Sequence, residues 1–340
     1  MLNSDPGIRV IDTAKDGVEA VDKISKIKPD VVTLDLAMPG WDGYTTLKHI
    51  MSRYPIPVVI LSAHSREGAD ITIRCLNAGA VGFVLKPSGE LSLDIGSVKV
   101  QLLEEVKAVS KVKVKKIKLL ITKKVKKPRR KLIGINKIIV IGASTGGPQT
   151  LEAILSSLPA EFPIPIIVIQ HIPTEFFTQS LAERLNRICE LGVKVAEDNE
   201  IIRGGKAYLA LSGFRLTVKT RIHTDKETNI EHQESRIKHV FTSLSKDKPN
   251  ALGPSIDITM KSLAKIYNGN AVGIILTGMG CDGREGMKAI KGSGGKTIAQ
   301  DESSIIFGMP KAVIDAGYAN KVLSVSGIAD AMVDLAESRE

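Results

Sequence analysis

Short apolar runs alternate with segments of helical period along the whole chain, and the alternation breaks once, near the middle. Before the break, strands are expected at "IRVIDTA" (8–14), "DVVTLD" (30–35), "PVVILSA" (57–63) and "GFVLKP" (82–87). Between them "DGVEAVDKISKI", "DGYTTLKHIMSRY" and "ADITIRCLNAG" repeat apolar residues every three or four positions, as amphipathic helices do. After the break, strands are expected at "NKIIVIGAS", "IPIIVIQH", "GVKVA", "KAYLAL", "FRLTVKT", "AVGIILTG", "KTIAQD" and "NKVLSV". The helices there are "PQTLEAILSSL", "TEFFTQSLAERLNRI" capped by Thr174, "SIDITMKSLAKIY" capped by Ser255, "DGREGMKAIKGSG" and "SGIADAMVDLAESRE". Strand-then-helix repetition predicts α/β architecture, with parallel sheets covered on both faces. The short, Gly-rich strands near 204–240 suggest antiparallel pairs inserted into the second sheet.

At 340 residues and 43% hydrophobic content the chain is long enough for two cores, so two domains are expected. They are placed at residues 1–98 and 135–338, joined by a linker at 99–134. The net charge of +10 belongs to that junction: residues 107–131 hold thirteen Lys or Arg and no acid, and the rest of the chain is slightly acidic. Like charges resist compaction, so the segment reads as a solvated linker. It has no aromatics to stack on bases, which argues against single-strand binding, and no nucleic-acid partner is expected. No apolar run approaches the ~20 residues of a membrane helix and the start lacks the pattern of a signal peptide, so a cytoplasmic protein without membrane insertion is expected. Cys75, Cys189 and Cys281 are spaced for neither a disulfide framework nor a zinc site.

In parallel sheets, function gathers beyond the carboxyl ends of the strands. In the first pattern those ends carry Asp35, Ser62 and Lys86. A carboxylate, a hydroxyl and an ammonium converging there suit acceptance of a phosphoryl group. In the second pattern "GASTGG" follows a buried strand. It has neither the lysine of a Walker loop nor the glycine spacing of a dinucleotide fingerprint, which leaves Ser144 as a nucleophile. His171 closes the next strand, and Asp282 lies in a glycine-dense turn after another, while the other five histidines fall on expected helices or loops. Ser144, His171 and Asp282 make a nucleophile, base and orienting acid, with backbone N–H groups of "STGG" as an oxyanion hole. The chain order excludes the common α/β-hydrolases.

At these residues two resemblances appear. Asp35 before "MPGWDG", Ser62 and the Lys86–Pro87 pair resemble response-regulator receiver domains, which are flavodoxin-like. The resemblance implies that Asp35 is the phosphoacceptor, that Ser62 and Lys86 are its partners, and that Phe83 holds the position of an aromatic switch. It also implies magnesium for phosphorylation. The chain opens with sequence that lies after a receiver's first strand, so that strand and its paired acids are expected to be missing, leaving Asp35 in an incomplete magnesium site. "GASTGGPQTLEAIL", "VIQHIPTEFFTQSLAERLN", "PSIDITMKSLA", "ILTGMGCDGREGM" and "TIAQDESSIIFGMPKAVIDAG" resemble the Rossmann-like catalytic domain of the chemotaxis protein-glutamate methylesterases, the CheB family.

This second resemblance implies hydrolysis of glutamate γ-methyl esters and deamidation of glutamines on the cytoplasmic domains of chemoreceptors, without a cofactor for the esterase. A chemotaxis histidine kinase is the implied phosphodonor. Ser144, His171 and Asp282 are the implied triad, with Thr145, Gly146 and Met279 lining the oxyanion and substrate site. The chain departs from the family at "YLALSGFRLTV", where Phe214 and Arg215 stand near a customary Pro-Gly turn and histidine. Two other readings stay open: a receiver-linked binding protein with an esterase fold but no turnover, and a receiver with a DNA-binding output. The basic linker is expected to speed encounter with acidic receptor segments.

Overall fold

The chain is described here from a computed structural model covering residues 1–87, 95–114, 136–223, 237–246 and 254–337. In the N-terminal part, α1 (Gly17–Ile27), β1 (Val32–Asp35), α2 (Gly43–Arg53), β2 (Val58–Ser62), α3 (Arg66–Asn77) and β3 (Gly82–Leu85) alternate as expected. Each helix opens on a side-chain cap: Asp16, Asp42 and Ser65 accept from the backbone N–H three residues on. The strands pair in parallel, in the order β1-β2-β3. β2 is the middle strand, and its Val58, Val59 and Ile60 are fully buried.

The strand expected at 8–14 does not form. The segment lies outside the sheet with Val10 and Ile11 exposed, and the Val10 N–H donates to Asn3 Oδ1 rather than to a ladder. An alternating run becomes a strand only where a partner strand satisfies its backbone, and none lies beside it among the described residues. Helix α4 (Ile95–Val109) runs across the expected boundary at residue 98 and into the basic segment. Leu102, Val106 and Val109 fall on one face of it and are buried, and the helix packs on β3 and β2. The rest of the basic run, from 115 onward, lies outside the described residues.

The C-terminal part is built on a seven-stranded parallel sheet, ordered β12-β11-β10-β4-β5-β7-β6. Its strands are β4 (Ile138–Ala143), β5 (Ile166–Gln170), β6 (Gly192–Val195), β7 (Lys206–Leu209), β10 (Ala271–Ile275), β11 (Lys296–Gln300) and β12 (Lys321–Leu323). The helices are α5 (Gly147–Leu155), α6 (Glu175–Ile188), α7 (Ile256–Tyr267), α8 (Arg284–Gly292), α9 (Met309–Asp315) and α10 (Val325–Glu337). Ser255 caps α7 by accepting from the Ile258 N–H. Thr174 sits at the start of α6 without making a cap bond, and its buried hydroxyl has no partner. The antiparallel pair expected within the sheet stands apart as a two-stranded ribbon, β8 (Phe214–His223) with β9 (Ile237–Lys246). β7 has no free edge for it, since β5 and β6 occupy both sides.

The two cores do not divide by domain. Along β4, Ile138 and Val140 face one apolar cluster, while Ile139 and Ile141 face another that continues into the N-terminal part. The continuation is closed by Phe83 of β3, stacked on Phe177 of α6 with ring centroids 4.7 Å apart. Polar contacts frame the same junction. Gln149 Nε2 of α5 donates to the Leu76 and Ala80 carbonyls at 3.0 and 2.7 Å, and Ser180 Oγ donates to Asp70 Oδ1 at 2.5 Å. No helix among the described residues is long and apolar enough to cross a membrane.

Candidate active site

Strand order places the candidate triad. β4 lies between β10 and β5, so the order of strands switches sides at β4 and a crevice opens at the carboxyl ends of these three strands. Ser144 follows β4, His171 follows β5, and Asp282 sits in the turn after β10. The ladder pairs Ala143 with Gln170, one residue before each of the first two, and the His171 N–H donates to the Ala143 carbonyl at 2.9 Å. The Ser144 N–H donates across to the Thr277 carbonyl at 3.0 Å, tying the nucleophile's turn to the β10 side. Gly146 has φ +78°, and a Cβ there would sit 2.8 Å from Ile305 Cβ. Only glycine takes both that conformation and that contact without strain.

His171 Nε2 lies 2.9 Å from Asp282 Oδ2. The same carboxylate accepts from the backbone N–H groups of Ile256 and Asp257 at 2.9 and 3.0 Å, at the N-terminus of α7. Burial raises the pKa of Asp282, but the His171 bond and these two N–H donors outweigh it and hold the carboxyl below its ordinary value. The group is therefore a carboxylate at neutral pH. An anion at Oδ2 requires the imidazole proton on Nε2, which leaves Nδ1 with the lone pair a general base needs. Met279 follows Gly278, whose Cα faces Ser144, and Thr145 is the residue after the candidate nucleophile.

The phosphoryl site is assembled only in part. Lys86 Nζ contacts Asp35 Oδ2 at 2.7 Å, and the Ala37 N–H donates to Oδ1 at 3.0 Å. Ser62 does not join them through its hydroxyl. Its Oγ is buried, donates to the Gly68 carbonyl at 3.2 Å and accepts from Thr72 Oγ1 at 2.8 Å. Magnesium takes an oxygen-rich octahedral set, and among the described residues no three His, Cys, Asp or Glu gather into one. The residues present around Asp35 do not fit the ion.

Three residues near the esterase site carry no signal in the sequence. Gln170 donates to both the Ser144 and His171 carbonyls, Thr277 Oγ1 donates to the Thr145 carbonyl, and Glu105 of α4 accepts from Thr145 Oγ1.

Residues 139–332 match the CheB methylesterase family, and residues 1–94 match the response regulator receiver domain. The protein-glutamate methylesterase/protein-glutamine glutaminase of Archaeoglobus fulgidus is 45% identical over 336 residues, covering 97% of this chain and 92% of that protein. The protein of the same description from Halalkalibacterium halodurans is 40% identical over 338 residues, covering 98% and 92%. The solved Thermotoga maritima CheB methylesterase catalytic domain aligns at 41% identity with a TM-score of 0.52, covering 58% of this chain and 98% of that domain. The chain therefore belongs to the CheB methylesterase family, with a response regulator receiver domain preceding the methylesterase domain.

Proposed function

We propose that this chain hydrolyses glutamate γ-methyl esters, and deamidates glutamines, on the cytoplasmic domains of chemoreceptors. Ser144 is the nucleophile, His171 the general base and Asp282 its orienting acid. The observation that carries the reading is the His171–Asp282 bond of 2.9 Å at the end of the strand beside the one that delivers Ser144.

In the first half-reaction Ser144 Oγ attacks the γ-carbonyl carbon while its proton passes to His171 Nδ1. The imidazolium so formed is stabilised by Asp282. Collapse of the tetrahedral intermediate breaks the bond to the methoxy oxygen, which leaves as methanol with the proton from His171. With a glutamine substrate the leaving group is ammonia. Water, deprotonated by His171, then attacks the acyl-serine and releases glutamate and free Ser144. The Thr145, Gly146 and Met279 N–H groups have no hydrogen-bond partner among the described residues, and they supply the donors for the oxyanion.

The receiver is the regulatory part, with Asp35 as phosphoacceptor, Lys86 as its cationic partner and a chemotaxis histidine kinase as phosphodonor. The division into 1–98, 99–134 and 135–338 carries over with one change: α4 goes with the receiver on which it packs. Methanol release from methylated receptor tests the esterase reading. Ser144→Ala is expected to lower it by roughly three orders of magnitude or more. Equal release by both proteins would overturn the assignment.

A further inference from the structure

In a trans peptide the N–H points opposite to the C=O, so whatever fixes a carbonyl also aims the next residue's N–H. The Thr145 N–H is therefore directed by the Ser144 carbonyl. That oxygen accepts twice: from the Gly147 N–H at 2.7 Å and from Gln170 Nε2 at 2.9 Å. The second hydrogen of the same amide goes to the His171 carbonyl, also at 2.9 Å. One side chain thus holds the backbone of both the nucleophile and the base.

The amide can face only one way, since the reverse would set its oxygen against two carbonyl oxygens. Gln170 is 4% exposed, and its Oε1 has no hydrogen-bond partner. It presses on the bare Cα of Gly147, where a Cβ would lie 1.9 Å from it. A buried acceptor without a donor lowers stability, and an apolar side chain of the same length would not carry that cost. The cost is tolerated at a position that reaches both carbonyls.

We propose that Gln170 is a positioning residue for the oxyanion site: its amide turns the Ser144–Thr145 peptide so that the Thr145 N–H faces the ester oxygen, in fixed relation to His171. The inference rests on the esterase reading and names a residue that reading does not use. Other bonds maintain the turn when the amide is lost. The Ser144 N–H still donates to the Thr277 carbonyl, and Thr277 Oγ1 to the Thr145 carbonyl at 2.9 Å.

The test is Gln170→Met in the full chain, assayed on a peptide bearing a glutamate γ-methyl ester, with Ser144→Ala alongside. The expected result is a kcat lowered roughly 10- to 100-fold, because an oxyanion donor is misaimed rather than removed. KM should stay within about twofold, and the pH midpoint of kcat/KM should not move, since the His171–Asp282 pair is untouched. The melting temperature should hold or rise. A merely structural glutamine would give the reverse: a lower melting temperature with kcat per active site intact. Should Gln170→Met not fold, Gln170→Leu also removes the donor without setting an oxygen against the two carbonyls, and the same fall in kcat is expected. If either folded variant keeps wild-type kcat while Ser144→Ala is dead, the positioning role is wrong and the esterase reading survives. If Ser144→Ala also turns over, both fall.

Discussion

Thr145 Oγ1 donates to Glu105 Oε2 at 3.1 Å, joining the residue beside the candidate nucleophile to helix α4, which packs on β3 and β2. Glu105 is 6% exposed and fills the space over Gly82 of β3, where a Cβ would lie 1.8 Å from its Oε1. Burial pushes its carboxyl up to about 7, the Thr145 bond offsets this only in part, and the neighbouring charge of Glu104 adds to it. Neither β3 at Gly82 nor the esterase turn at Thr145 presents a titrating group to it. The contact between the two domains thus holds a carboxyl that is substantially protonated near neutrality.

Stability should therefore fall as pH rises through this group. Between the ordinary glutamate value and about 7 the folded chain keeps a proton that the unfolded chain has lost. The loss accumulates across that window and levels off above it, reaching on the order of 3 kcal/mol. Glu105→Gln should remove the slope and be the more stable protein at pH 8. Melting temperatures at pH 5 and pH 8 for both proteins check this, and parallel slopes would count against it.

Asp282 serves two structures at once, so its variants should separate them. Asp282→Asn keeps one oxygen, enough for only one of the Ile256 and Asp257 N–H groups, which bond to different carboxylate oxygens, and it no longer favours the Nε2–H tautomer of His171. Methanol release should fall about 10³- to 10⁴-fold, with stability lowered by the one N–H left facing the amide nitrogen. Asp282→Ala should lose a further ~1–2 kcal/mol of stability, because the Ile256 and Asp257 N–H groups both lose their acceptor and Ser255 alone still caps α7. The wild-type carboxyl is held below its ordinary value, so its contribution is complete above about pH 4 and is lost as pH falls through the folded value. Acid unfolding should begin at higher pH in the wild type than in Asp282→Asn relative to each protein's stability at pH 7.

The strands that carry the site were legible because buried parallel strands are largely apolar runs, and Ser144, His171 and Asp35 are polar residues at or just past their ends. The partners were not, because they are set by packing between distant segments. Ser62 has the right place at the end of β2, yet its hydroxyl is captured by Thr72 of α3. Glu105 lies beside a block of lysines and reads as part of a charged linker, although Leu102, Val106 and Val109 around it already had helical spacing. Gln170 has no pattern to announce it; only the register of β4 against β5 places its amide between two carbonyls. The missed helix α9 was signalled, with Gly308 before it, Pro310 in its first turn and Gly317 after it. The strand expected at 8–14 had the right alternation without a neighbour to pair with.

Gly278 makes a last prediction from space alone. A Cβ there would lie 2.4 Å from Met309 Sδ, 2.7 Å from Ser144 Cβ and 3.1 Å from Ser144 N. The methionine sulfur is at the end of a flexible chain and can withdraw. Ser144 has no such freedom, because its N–H is bound to the Thr277 carbonyl and its own carbonyl is held by Gly147 and Gln170. The Gly278 backbone is itself pinned, donating to the Ile306 carbonyl and accepting from the N–H groups of Gly308 and Met309. Gly278→Ala should therefore displace Ser144, the proposed nucleophile, by a fraction of an ångström, with about 1–3 kcal/mol lost to overpacking. A displacement of that order lowers kcat by up to about 10²-fold. The measurement is kcat per folded molecule beside the melting temperature: a drop in stability with undiminished kcat would mean that Met309 yields and Ser144 does not move.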